Sequence, residues 1–157
     1  MKINAIGLPV EGTESLIKEL HALLADYAVF YQNVRGYHWN IRGSQFFELH
    51  LKFEELYDDL ALKVDEVAER ILTLGGKPDH RFSSYSILGE VKECDITSDA
   101  KAAVKDILET LKIMLGRQRL LLADASQLGD EGTAALMGDY IRAQEKLVWM
   151  YAAFLGE

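Results

Sequence analysis

The sequence predicts an all-α protein built as a four-helix bundle, and three observations carry that expectation. Only two prolines, Pro9 and Pro78, occur in 157 residues, so long stretches are free of the residue that breaks helices. Those stretches are rich in Ala, Leu, Glu and Lys, which favour helix. Within them the apolar residues recur at spacings of three and four, the period of a helix buried along one face. The length suits one domain, residues 1–157, with a single core.

The first helix is expected over residues 13–38, where Leu16, Leu20, Leu23, Tyr27, Phe30, Val34 and Tyr37 form one stripe. Gly43 and Ser44 interrupt the pattern, with Ser44 placed to act as an N-cap. The second helix, over 44–74, carries Leu49, Phe53, Leu56, Leu60, Val64, Val67, Ile71 and Leu74 until Gly75, Gly76 and Pro78 stop it. At about 1.5 Å per residue it spans on the order of 45 Å. Residues 75–96 hold no sustained period and read as a crossing connection with one short helix around 84–89. Thr97, Ser98 and Asp99 offer caps for a third long helix over 99–125, with Val104, Leu108, Leu111, Leu115 and Leu122 inward. A tight turn at Gly129-Asp130-Glu131-Gly132 leads into the last helix, whose stripe is Leu136, Tyr140, Ala143, Leu147, Met150 and Phe154. Short links at both ends and one long crossover between the middle helices give the ferritin-like connectivity of the four-helix bundle.

Composition narrows the function. No stretch approaches the ~20 apolar residues of a membrane span, and the N-terminus lacks an apolar run of signal-peptide length. Cys94 is the single cysteine and has no intrachain disulfide partner, so a reducing cytoplasm is the expected compartment. A formal charge of −8 without clustered Lys or Arg argues against direct DNA binding, because phosphate contacts need concentrated positive charge.

Bundles with an internal di-iron centre use Glu-x-x-His pairs on two helices and a Glu on each of the others. None of His21, His38, His50 or His80 has an acid three residues before it, so that arrangement is not expected. The second helix nevertheless carries a second stripe. At about 100° per residue, His50, Glu54, Asp58, Asp65 and Glu69 share one face about 120° from the core stripe. His50 with Glu54, and Asp65 with Glu69, are i, i+4 pairs, each able to supply half of a metal site. His50 and Asp65 are 15 residues apart, about 22 Å along the helix, so a second chain must join the halves. Antiparallel docking of two copies about a two-fold axis would bring His50 and Glu54 of one to Asp65 and Glu69 of the other. His38 can fold back towards His50, and the combined set of two imidazoles and three carboxylates suits iron(II). Standing alone, such acid pairs are solvated faces and such histidines are packing features, so geometry leaves both a metal site and a metal-free bundle open.

The run Tyr37-His38-Trp39-Asn40, then Phe46-Phe47-Glu48-Leu49-His50, Phe53-Glu54-Glu55-Leu56-Tyr57 and Asp65-Glu66-Val67-Ala68-Glu69-Arg70, resembles the Dps family of mini-ferritins in residue type and spacing. The resemblance extends over nearly the whole chain. It implies a cage of twelve subunits, oxidation of iron(II) preferentially by hydrogen peroxide, storage of a ferric mineral, and protection against oxidative damage. Under it, His38, His50 and Glu54 are the di-iron ligands of one subunit, and Asp65 and Glu69 those of its two-fold mate; these five form the ferroxidase site. Many relatives place Asp where this chain has Glu54, so a longer arm reaches that metal. DNA-compacting relatives often use a Lys-rich tail, whereas here Lys2 is the only basic residue before Lys18. Trp39 would lie near the metal, as packing or as a redox group. Asp124, Asp130 and Glu131 fall where the family has acidic pores for iron entry. His21, His80 and Cys94 read as structural.

Overall fold

The computed structural model describes residues 1–95 and 98–157; Thr97, one of the three expected caps, lies outside the described residues. Five helices follow one another: α1 (Val10–Asn40), α2 (Phe46–Thr73), the short α3 (Phe82–Leu88), α4 (Ala100–Leu128) and α5 (Glu131–Phe154). The four long ones form the bundle, and α3 lies in the crossover between α2 and α4. α1 packs against α2, α4 and α3, while α5 packs on α4. Among the described residues, no helix is long and apolar enough to cross a membrane.

Every member of the stripe expected on the first helix is buried, and so are Leu49, Phe53, Leu56, Leu60, Val67, Ile71 and Leu74 of the second. The helix ends differ in instructive ways. Ser44 is not the N-cap of α2; Gly43, at φ +115°, turns the chain so that the Phe46 N–H donates to its carbonyl, and the helix starts two residues later with Gln45 as cap. Asp99 caps α4 by accepting from the Ala102 N–H at 2.8 Å. Gly129 ends α4 in the left-handed region, at φ +78°, where a glycine is free of strain. The expected four-residue turn is shorter than that: Asp130 caps α5, and Glu131 and Gly132 already belong to the helix.

The inward faces of α4 and α5 match the expected stripes only in part: Val104, Leu111, Leu115 and Tyr140 are buried as expected. Leu108, Leu122, Leu136 and Leu147 are only half-buried and Ala143 is exposed, whereas Gln118, Thr133 and Gln144 are buried. The cause is polar. Tyr27 Oη donates to Gln118 Oε1, Gln118 Nε2 donates to Gln144 Oε1 at 2.8 Å, and Gln144 Nε2 donates to Tyr27 Oη at 2.7 Å. This closed ring ties α1, α4 and α5 together in the bundle centre and satisfies groups that would otherwise be costly to bury. Beside it, Lys63 of α2 is buried, pairs with Asp59 at 2.7 Å and sits 5.0 Å from the centre of the Tyr140 ring.

Two polar residues of α1 strap the crossover onto the bundle. Asp26, fully buried, accepts from the N–H groups of Glu90 and Val91 at 2.7 and 2.9 Å and from Arg117 Nε at 2.7 Å. Burial pushes its carboxyl up, against the pull of the Val91 N–H and of Arg117. Seven residues on, Asn33 donates to the Lys92 carbonyl and accepts from the Cys94 N–H. His21 adds a third tie, its ring nitrogens 3.0 Å from the carbonyls of Ile17 and Lys77.

Substitution Asp26→Ala strands two backbone donors and removes a partner of Arg117. A loss on the order of 3 kcal/mol in denaturant-unfolding stability is expected, with faster proteolytic nicking between residues 77 and 95.

Candidate metal centre

The site begins where α1 ends. His38 sits in the last turn of α1 and His50 in the second turn of α2, twelve residues apart across the 41–45 link. Their rings stack with centroids 3.7 Å apart at 13°. His38 Nδ1 lies 2.6 Å from the His50 carbonyl oxygen, and His50 Nδ1 lies 2.7 Å from the His38 carbonyl oxygen. A carbonyl oxygen only accepts, so both Nδ1 atoms carry hydrogen. That assignment leaves the Nε2 lone pair of each neutral ring free, the form in which imidazole binds a metal. The exchange also has a local cause: the carbonyl of His38 is among the last of α1, where no backbone N–H follows to satisfy it within the helix.

Neighbouring aromatics hold the two rings. Phe46, one turn before His50, stacks on it at 4.9 Å. Tyr57 meets His38 edge-on at 5.2 Å. Trp39 is more than half exposed, with the Arg35 guanidinium 4.7 Å from its ring centre; the same guanidinium lies over Tyr31 and Tyr57.

The acidic residues lie along α2. Glu54, half-buried one turn after His50, accepts from Tyr57 Oη at 3.4 Å. Asp65 and Glu69 are exposed neighbours near the other end of the helix. Glu69 has its carboxyl pushed above the usual range, first by its hydrogen bond with Asp65 and then by the negative charge of Asp65. The pair therefore holds a proton between its oxygens more readily than an isolated acid would. The structure thus brings His38, His50 and Glu54 to one end of α2 and leaves Asp65 and Glu69 at the other. Among the described residues, no three of His, Cys, Asp or Glu converge on a point that could hold a metal.

The face that carries these residues is not an ordinary solvated one. Phe47, Leu51, Leu62 and Leu72 share it and are exposed by 85%, 56%, 65% and 56%. Large apolar side chains interleaved with ligand-type residues mark a surface built to be covered.

The acidic turn requires correction. Asp130 is not an exposed turn acid; it is 2% exposed, accepts from Arg70 Nη2 at 2.6 Å and caps α5 through the Thr133 N–H at 3.0 Å. Its charge is neutralised where it stands, so of the three residues only Asp124 and Glu131 are exposed acids. Phe46 and Tyr57 stand in the runs that carry the resemblance but had no role assigned, and Arg35 was not named, although Phe46–His50 and Glu54–Tyr57 stand at the i, i+4 and i, i+3 spacings of helix neighbours.

Comparison with known proteins gives a consistent result. Residues 17–157 match the ferritin-like domain family. The chain is 47% identical over 152 residues to the DNA protection during starvation protein of Porphyromonas gingivalis, covering 97% of this chain and 96% of that one. It superposes with a TM-score of 0.97 on the crystal structure of a Dps protein from Vibrio cholerae O1, described as a member of a broad superfamily of ferritin-like diiron-carboxylate proteins. Identity there is 52%, and 99% of this chain and 98% of the other are covered. A Dps protein from Bacillus brevis gives a TM-score of 0.90 at 30% identity, with 92% and 97% covered.

The raised titration range of Glu69 has a measurable consequence. Protons compete with a divalent cation for its carboxylate, so metal affinity should fall as pH drops through that range. Calorimetric titration across a pH series should register the fall, and an affinity independent of pH there would contradict it.

Proposed function

The chain belongs to the Dps family of ferritin-like proteins, and from that premise we propose that it oxidises iron(II) at sites shared between two subunits and stores the ferric product inside a twelve-subunit cage. The observation that carries this reading is the histidine clamp: both Nδ1 atoms are committed to backbone carbonyls, and both Nε2 atoms are left to bind. In the proposed site, His38, His50 and Glu54 come from one subunit and Asp65 and Glu69 from its two-fold mate. The exposed apolar residues on the same face of α2 support antiparallel docking, since they would be buried in the contact that completes the site.

Iron is here the substrate. Two imidazoles and three carboxylates accept iron(II), and the anionic oxygens favour the more highly charged product. With hydrogen peroxide as oxidant, two ferrous ions give up one electron each, the O–O bond breaks, and two protons are taken up to form two waters. Spending peroxide and iron(II) together removes the reactants of radical damage, and the reaction requires no contact with DNA.

The decisive test uses Glu69→Ala and His50→Ala, each expected to abolish fast peroxide-driven iron oxidation while leaving the cage intact, because neither residue is in the core. In cages reassembled from both variants, half the two-fold pairs are mixed, and each mixed pair holds one complete site and one lacking both ligands. About a quarter of wild-type activity should return. No recovery from verified mixed cages would place the ligands within one chain.

A second reading, DNA compaction, takes its support from the names of relatives, such as the Porphyromonas gingivalis protein. Twelve copies at −8 each, without clustered Lys or Arg in the sequence, should repel phosphate. Gel-shift experiments near pH 7.5 should show weak binding, and tight, salt-sensitive binding would reverse the order of the two readings.

A further inference from the structure

Tyr57 touches two of the proposed iron ligands, and they come from different helices. Its ring packs edge-on against His38 of α1 at 5.2 Å and 80°. Its hydroxyl donates to Glu54 Oε1 at 3.4 Å, the two residues being a turn apart on α2. The ring is itself held, edge to face with Tyr31 at 5.9 Å and with the Arg35 guanidinium 6.0 Å from its centre. We propose that Tyr57 is a positioning residue that restrains the Glu54 carboxylate, at the end of α2 where His38 and His50 stack, before iron(II) arrives.

The inference rests on the reading of His38, His50 and Glu54 as iron ligands and deepens it. A glutamate side chain has three rotatable bonds and samples many positions unless something stops it. One oxygen held by the tyrosine hydroxyl leaves the second oxygen for the metal and orients it. Glutamate is the longer of the two acids, and its extra methylene brings Oε1 within reach of the hydroxyl three residues on. At position 54, aspartate would hold its carboxylate closer to its own backbone and give up that contact. The longer arm of Glu54 is thus matched by a group that restrains it, as first-shell ligands generally are by the groups behind them.

The test uses the assembled protein under anaerobic conditions, with Co(II) as a probe that reports ligation without turnover. Tyr57→Phe keeps the ring and removes only the hydroxyl. Calorimetry should show Co(II) binding about 10-fold weaker, with a changed visible Co(II) spectrum and unaltered cage mass and melting temperature. In the Glu54→Asp background, where the contact to the hydroxyl is already absent, Tyr57→Phe should change Co(II) affinity little. Wild-type protein that binds Co(II) alongside a Tyr57→Phe variant with the same affinity and spectrum overturns the role of Tyr57 alone. An equal loss in both backgrounds overturns the route through Glu54. Failure of the wild-type cage to bind Co(II) overturns the iron site itself, and this inference with it.

Discussion

The exchange of hydrogen bonds between His38 and His50 is the constraint on which the site depends. Each ring donates to the other residue's backbone carbonyl, so the end of α1 and the start of α2 are joined twice within one turn of each helix. The bonds fix the tautomer of both imidazoles, the stacking fixes their planes, and the Phe46 ring seals the outer face of His50. Rotating the His50 ring to present Nδ1 instead would strand the helix-end carbonyl of His38, and rotating the His38 ring would lose its bond to the His50 carbonyl. The chemistry offered to a metal is thereby written into backbone hydrogen bonding.

The bundle interior explains why that chemistry sits at a surface. The ring of Tyr27, Gln118 and Gln144 fills the centre with neutral groups that satisfy one another, and Lys63 puts an ammonium where α2 faces α5. Nothing there offers a cation a set of free carboxylates. The acids of ligand type lie instead on the outer face of α2, among apolar residues that a second copy would cover. In the proposed assembly each subunit is a scaffold closed at its centre and completed at its edge by its mate.

Much of this was legible in the sequence, and the reasons for the rest are physical. The stripes of the first two helices are almost purely apolar, so periodicity located them residue by residue. On α4 and α5 it found the buried Val104, Leu111, Leu115 and Tyr140 but also pointed to half-buried leucines and to the exposed Ala143, because Gln118, Thr133 and Gln144 occupy the core through hydrogen-bond partners a one-dimensional pattern does not carry. Asp130 read as an exposed turn acid because its partner Arg70 is sixty residues away. His38 and His50 were recognisable by type and spacing, but their tautomers follow only from the atoms each ring faces. The straps at Asp26 and Asn33 left no local signature, since their partners are backbone groups of the crossover.

If the proposed cage forms with the crossover near a subunit contact, those straps matter beyond the single chain. A crossover of this length, left loose, would wave across the flank of α1 and would have to be ordered each time two subunits met. Asp26 and Asn33 settle that ordering while the chain folds, so the conformational entropy is lost before any partner is present. Encounter then becomes the docking of two rigid shapes. Its rate is governed by orientation and charge instead of by loop rearrangement, and little of the binding free energy is diverted into fixing backbone. A shell of many small subunits can close from such parts quickly, because each new contact is made by surfaces already in their final form.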